Sequence, residues 1–337
     1  MAMDIVVLAA DVGGTNTKIA LAQCRAARCT IIKRNIYPSR TYATLEDVVD
    51  AFLREADVAP HASHVAAACL AVAGPVENGG ARLTNLPWHI DELELARRFS
   101  FGRASVINDF AAAGHGIDQL AESDLLTLQS GTALPDADRI VIGAGTGLGV
   151  AWLVCSGERY EVHPSEGGHA DFAPVDALQD ELLLYLRRQF GRVSYERVLS
   201  GSGLMRIFSF LKERGPEQPT PALLEAISHG EPARAITEFA LAGRDALAGR
   251  ALDVFASAYG AFAGNMALTG LAHGGIYVAG GIAPKIAAKL QDGTFMRAFT
   301  DKGRFQAMLA AIPVKVVMND QVGLLGAVAE AARLASA

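Results

Sequence analysis

The sequence predicts a two-domain mixed α/β protein, and three observations lead there: the length of 337 residues, short aliphatic runs interleaved with helical periodicity, and an opening pattern that recurs in the second half. Single domains cluster at roughly 100–200 residues, so a chain this long is expected to divide. A hydrophobic share of 51% beside 20% charged residues describes packed cores, far from the composition of disordered or fibrous chains.

Ile5–Ala10 is an aliphatic run that ends in Asp-Val-Gly-Gly-Thr-Asn, and Thr17–Ala22 then alternates back into apolar residues, the pattern of a hairpin closed by a glycine turn. A third strand follows near Thr30–Tyr37. Leu45–Leu53 carries helical spacing behind Thr44, a plausible N-cap, and Val65–Val72 reads as a buried strand closing at Gly74-Pro75. Asp91–Phe99 reads as a helix and Ala104–Ile107 as a strand. This order is a mixed layer, unlike the strict β-α-β alternation of a doubly wound parallel sheet. Ile140–Gly149, followed by apolar Val150–Cys155, restates strand, glycine turn, strand, and placing Gly147 on Gly14 gives a half-length offset that fits two duplicated domains. Asp180–Phe190, Gly203–Glu213, Ala222–Ser228 and Ala233–Leu271 read as packed helices, with 215–221 as a loop. Strands at Ile276–Ala279 and Val314–Met318 and a helix at Leu324–Ala335 complete the chain. We place a small N-terminal domain over 1–110 and a larger one over 111–337, with the last helix, about 321–335, packing back on the small domain.

The net charge of −6 leaves no positive surplus for phosphate backbones or anionic lipid, which argues against nucleic acid and membrane partners. No run approaches a membrane span, and Asp4 and Asp11 interrupt anything resembling a secretory signal. The four cysteines, Cys24, Cys29, Cys69 and Cys155, form no C-x-x-C pair and have no histidine at zinc spacing, so free, reduced thiols and a cytoplasmic location are expected.

Gly13-Gly14-Thr15-Asn16 lies between two strands, where bare backbone N–H groups can cradle a phosphate or simply make a turn. Asp11, an acid at the end of a buried strand, favours the first reading because such a group needs a partner or a metal such as magnesium. Gly143-Ala-Gly145-Thr146-Gly147-Leu-Gly149 is a second loop of this kind. It departs from G-x-G-x-x-G, since Leu148 stands where the last glycine belongs and a strand follows, and no Walker loop occurs. Asn108-Asp109 closes a strand, either to face a ligand or to cap a helix. Glu166-Gly-Gly-His169 presents an acid and an imidazole on a glycine pair. Glu196 beside Arg197 is as consistent with a solvated ion pair. Gly280-Gly281 is either a tight turn or a place where a flat ligand meets backbone.

Together these motifs resemble the bacterial glucokinase family: DVGGTN at 11–16, NDF at 108–110, GAGTGLG at 143–149, EGGH at 166–169, ERVLSG at 196–201, AGG at 279–281 and GLLG at 323–326. The resemblance implies the two-domain actin-like ATPase (ribonuclease H-like) fold with a cleft between its domains. It implies ATP held by Asp11, Gly13, Gly14, Thr15, Asn16, Gly145, Thr146 and Gly147, its adenosine end near Gly280 and Gly281, and Mg2+ at Asp11. It further implies glucose met by Asn108, Asp109, Glu166, His169 and Glu196, with Asp109 as base for the 6-hydroxyl, and a homodimer. Two departures stand out. Ala10 replaces a frequent glycine and is expected to narrow the phosphate loop, and Gln321-Val322 replaces Asn-Pro. ROK kinases share related motifs, but this chain has no cysteine after Cys155 to build their zinc box. A kinase for mannose, fructose or an amino sugar is the alternative. A sugar-sensing regulator on the same fold is disfavoured by the acidic charge and by the lack of room for a helix-turn-helix ahead of Asp11.

Overall fold

The computed structural model describes residues 4–25, 28–62, 64–83, 85–157 and 159–336. By its internal contacts the chain forms two units, one running to Glu122 and resuming at Asn319, the other spanning Ser123–Met318. The sequence reading drew the division after residue 110. Helix Asp109–Gly116 instead packs within the first unit, against the C-terminal helix.

The first unit is built on strands β1 (Ile5–Val12), β2 (Asn16–Arg25), β3 (Arg28–Pro38), β4 (Val65–Val72) and β8 (Arg103–Asn108), in the order β3-β2-β1-β4-β8. β1 runs antiparallel to β2 and parallel to β4, and β4 runs parallel to β8. Alternation along β1 sends Leu8, Ala10 and Val12 to one core and Val7 and Ala9 to another. The first core is closed by helices α1 (Leu45–Leu53) and α3 (Glu92–Phe99). Thr44 and Asp47 form a capping box on α1, and Asp91 caps α3. Ala10 lies in this core, so its methyl fills space beside Leu8 and Val12 and does not narrow the glycine loop, correcting the expectation above. A short helix α2 (Ala59–Ala62) precedes β4. The small sheet of β5 (Val76–Glu77), β6 (Gly80–Arg82) and β7 (His89–Asp91) was not foreseen, its strands being too short to show a period.

The second core is lined by Ala9, Ala20, Ala22 and Ala71, small residues that let the terminal helix α13 (Val322–Ser336) lie close on the sheet. α13 also crosses helix α4 (Asp109–Gly116), and a β-carbon at Gly326 would collide with the Ala112 carbonyl. Beside this crossing, buried Glu330 forms a two-pronged pair with Arg333, 2.7 Å on each arm, and lies 3.9 Å from His115.

The second unit repeats the topology. Strands β10 (Arg139–Ala144), β11 (Leu148–Ser156), β12 (Arg159–Ser165), β13 (Gly275–Ala279) and β14 (Val314–Val317) run β12-β11-β10-β13-β14, with β9 (Leu125–Gln129) added at the edge. As in the first unit, two antiparallel pairings are followed by two parallel ones. The recurrence read from the glycine turns is therefore a recurrence of whole sheets. Helices α5 (Ala177–Phe190), α6 (Gly201–Arg214), α7 (Pro221–His229), α8 (Pro232–Leu241) and α9 (Ala246–Gly270) pack here, α9 being buried along most of its length. The sequence reading ran 233–271 as one helix. Gly243 breaks it at φ +63°, and Asp245 begins the next helix by accepting from Ala248 N–H while also holding Thr220 N–H. Helices α10 (Ala287–Gln291), α11 (Thr294–Thr300) and α12 (Gln306–Ala311), absent from the sequence reading, cover the region before β14.

The cysteine expectation is corrected as well. Cys24 and Cys29 face each other directly across the β2–β3 hairpin and form a disulfide, a pairing set by strand register and invisible in spacing alone. Cys69 and Cys155 are free. No helix among the described residues is long and apolar enough to cross a membrane.

Two stability outcomes follow from the α4–α13 crossing. Gly326→Ala is expected to destabilise the fold by about 1–3 kcal/mol, the usual range for overpacking, read as a lower denaturant midpoint. Burial holds the His115 imidazole below its ordinary value of 6.5, against the opposing pull of Glu330 and with Arg333 lowering it further. A depressed histidine stabilises the fold above pH 6.5 and loses that contribution as pH falls through its folded pKa. His115→Gln is therefore expected to flatten the fall of the thermal midpoint on the acid side of pH 6.5.

Candidate active site

In the first unit β1, β4 and β8 are parallel and in register, so Val12, Val72 and Asn108 reach the same end of the sheet. Residues 13–16 and the Asn108-Asp109 pair therefore share that end, where ligands of parallel sheets bind. The tip between β1 and β2 closes on itself, with Gly13 N–H donating to Asn16 O at 3.0 Å. Ser39, fully buried, braces it from the turn that follows β3. Its hydroxyl donates to Gly13 O at 2.7 Å and meets Thr17 Oγ1 at 3.0 Å, while its N–H donates to Thr15 O at 2.9 Å. Thr15 and Asn16 remain exposed at the tip.

Asp11, the β-bridge partner of Lys18, lies 3.9 Å from the Lys18 ammonium, which also reaches Asp320. Burial raises the Asp11 carboxyl above its ordinary value, Lys18 lowers it and Asp320 raises it again. The α13 N-terminus adds its own contribution, because Gly323 packs against this carboxylate and the positive end of a helix favours an anion.

Asn108, read as either cap or ligand contact, is the N-cap of α4. Its Oδ1 accepts from Phe110 N–H at 2.8 Å and Ala111 N–H at 3.2 Å, and its Nδ2 donates to Gly74 O at 3.1 Å. The amide has a second Nδ2 proton to offer. Because Asn108 does the capping, Asp109 stands at the first helical position, half-buried, with Oδ1 accepting the adjacent Phe110 N–H at 2.9 Å.

In the second unit Gly145, Thr146 and Gly147 form the tip between β10 and β11, closed by Gly145 N–H to Gly147 O at 2.8 Å. The Gly280-Gly281 turn sits at the same end, since Gly143 pairs with Ala279. Gly280 has φ +82°, and a β-carbon there would lie 2.6 Å from Ala144 O, so glycine is required on both grounds. Ala144 O accepts instead from Ile282 N–H at 3.1 Å, and Ala144 N–H donates to the Tyr259 hydroxyl at 3.0 Å. Burial pushes the Tyr259 phenol above its usual range, so it stays neutral as this acceptor.

Glu166, His169 and Glu196 are brought together. The His169 Nε2 lies 3.7 Å from Glu166 Oε2 and 3.9 Å from Glu196 Oε2. Arg192 fixes the turn by donating to His169 O at 2.7 Å while pairing with Asp171. Glu196, which in the sequence is as consistent with a solvated ion pair to Arg197, accepts from Leu148 N–H at 3.1 Å and so touches the glycine tip directly. Arg197 turns away to stack on Phe190.

The family model described as Glucokinase matches residues 8–334. The chain belongs to the glucokinase family. It is 44% identical to a glucokinase of Nostoc sp. (strain PCC 7120) over 97% of this chain and 99% of that one. A glucokinase structure from an Antarctic psychrotroph superposes with a TM-score of 0.83 at 32% identity, covering 97% and 99% of the two chains. A ROK-family glucokinase from Streptomyces griseus, solved with glucose and AMPPNP, shares the fold at TM-score 0.64 and 21% identity, covering 97% and 99%. The architecture is thus the actin-like ATPase fold of these sugar kinases.

For a glucokinase-family chain, sequence reasoning singled out the candidate ligand-facing groups and missed the residues that hold them in place. Ser39, Thr17, Tyr259 and Arg192 carry no motif of their own. Their only signal is polarity inside or beside apolar runs. Tyr259→Phe removes the acceptor for a buried N–H and is expected to cost about 1–3 kcal/mol of stability. It is also expected to raise the KM for ATP more than that for glucose, as steady-state kinetics with each substrate varied will show.

Proposed function

We propose that the protein phosphorylates glucose at its 6-hydroxyl with ATP, and the convergence of Glu166 and Glu196 on the His169 imidazole is the observation that carries the choice of a polyhydroxyl substrate. Carboxylates and an imidazole can satisfy hydroxyls that each donate and accept, and a sugar lacking one leaves a polar group unpaired. Asn108 and Asp109 supply the remaining sugar contacts, Asn108 through its second Nδ2 proton.

Asp109 takes the proton of the 6-hydroxyl as that oxygen attacks the γ-phosphorus and ADP departs. The transition state of phosphoryl transfer is loose, so the protein contributes mostly position and charge neutralisation. With Gly13 and Gly145 N–H spent on closing the tips, the N–H groups of Gly14, Thr15, Thr146 and Gly147 receive the phosphates, and the Gly280-Gly281 turn receives the adenosine end. Mg2+ fits Asp11, because this ion commonly uses one or two carboxylates with phosphates and water for the rest, and the raised Asp11 carboxyl lacks full compensation for its burial. Among the described residues no cluster of three or more metal-ligating side chains competes for that role. When bound, the ion neutralises phosphate charge. Lys18 opposes the effect of burial on the Asp11 carboxyl. The homodimer implied by the resemblance belongs to the same reading and is checked by light scattering.

A panel of glucose, mannose, fructose and glucosamine assayed for ADP release is expected to rank glucose first, and another sugar ranking first would reassign the acceptor. Asp109→Ala should lower kcat roughly 10²–10⁴-fold while glucose still binds, and wild-type turnover in that variant removes Asp109 as base.

A further inference from the structure

We infer that Glu196 is shared between two ligands: besides meeting the sugar, it is the positioning residue of the nucleotide loop, so that each ligand alters the affinity of the second unit for the other. This rests on the reading of Glu196 as a sugar contact and of 145–147 as a phosphate loop.

A single atom carries the argument. Glu196 Oε2 accepts the N–H of Leu148, the residue that follows the loop, and the same oxygen lies 3.9 Å from His169 Nε2. Gly147, inside the loop, is pressed against it too, since a β-carbon there would stand 2.6 Å from Oε2. From the other side Gly168, between Glu166 and His169, packs on the Leu148 carbonyl with no space for a side chain. The Leu148 residue is thus held through its N–H by one sugar-contacting segment and through its carbonyl by the other.

The chain on either side is stiff. Ser200, the N-cap of α6, donates to Glu196 O at 2.8 Å, and Gly201 N–H donates to Gly145 O at 2.9 Å. The turn that carries Glu196 is therefore tied to the loop at two points, one through its side chain and one through the start of α6. About a third of the Glu196 side chain is exposed, and a carboxylate offers about four lone-pair sites, so a sugar hydroxyl can bind while Leu148 N–H is retained. A hydroxyl that draws the carboxylate toward itself shifts the loop, and a phosphate that orders the loop fixes the carboxylate. Such coupling is reciprocal by linkage.

The test uses calorimetric titration of the full chain with one ligand at a time, glucose without nucleotide and AMPPNP with Mg2+ without sugar. Glu196→Ala is expected to weaken both, AMPPNP by roughly three- to tenfold, the effect of one lost hydrogen bond. Glu196→Gln, whose amide oxygen still accepts the Leu148 N–H, is expected to restore AMPPNP affinity while glucose binding stays weak. Gly147→Ala is expected to weaken glucose binding to the nucleotide-free protein, because its methyl displaces the carboxylate. Should Gly147→Ala fail to fold by circular dichroism, the Ala and Gln pair decides alone. Wild-type AMPPNP affinity in Glu196→Ala overturns the inference even if glucose binding is lost, and leaves the glucokinase reading intact. Absence of glucose binding by the wild type overturns that reading, while the AMPPNP arm still reports on the loop.

Discussion

At the β10–β11 tip, segments distant in sequence meet around the peptide groups of Ala144 and Leu148, and they meet too closely for β-carbons. Gly280 faces the Ala144 carbonyl, Gly168 faces the Leu148 carbonyl, and Gly147 faces the Glu196 carboxylate. Tyr259 and Glu196 then take the N–H groups of Ala144 and Leu148 on either side of the tip. Backbone polar groups held away from water need partners, so once these contacts form the loop has little freedom left. Everything proposed for the second unit, from phosphate binding to the presentation of His169, depends on that crowding.

The first unit solves the same problem with different residues. Its glycine tip is braced by buried Ser39 and Thr17, where the second uses a phenol and a carboxylate. The two sheets share strand order and sense, and each places its glycine hairpin at the end where its parallel strands finish. The two loops sit at matching places in the two sheets, and the bracing residues differ. The helix that carries Asp109 is held in turn by α13, which also meets Asp11, so the proposed base and the proposed metal carboxylate share one support.

Much of this was legible in the sequence. β4 was read residue for residue, because a central strand is apolar on both faces, and Thr44 announced α1 through an ordinary cap. The break between α8 and α9 was legible and was overlooked: Gly243 and Asp245 are a helix stop and a helix start, hidden by the apolar residues around them. Other features had no local signal. The Cys24–Cys29 bridge depends on hairpin register, and β5, β6 and β7 are shorter than any periodicity can reveal. At the site, Glu196 looked like a surface charge because its partner, Leu148 N–H, is a backbone group 48 residues away. Asn108 showed the opposite ambiguity, which the structure resolves by making it a cap that leaves one proton to offer.

The central proposal is that the glycine tips receive nucleotide phosphate and that Asp109 takes the proton of the attacking sugar hydroxyl. A crystal structure with glucose, Mg2+ and a non-hydrolysable ATP analogue addresses it most directly. The account predicts phosphate oxygens against the N–H groups of Gly14, Thr15, Thr146 and Gly147, with the sugar 6-oxygen within about 3 Å of the Asp109 carboxylate. Phosphates bound elsewhere, or a 6-oxygen turned toward some other base, would contradict it.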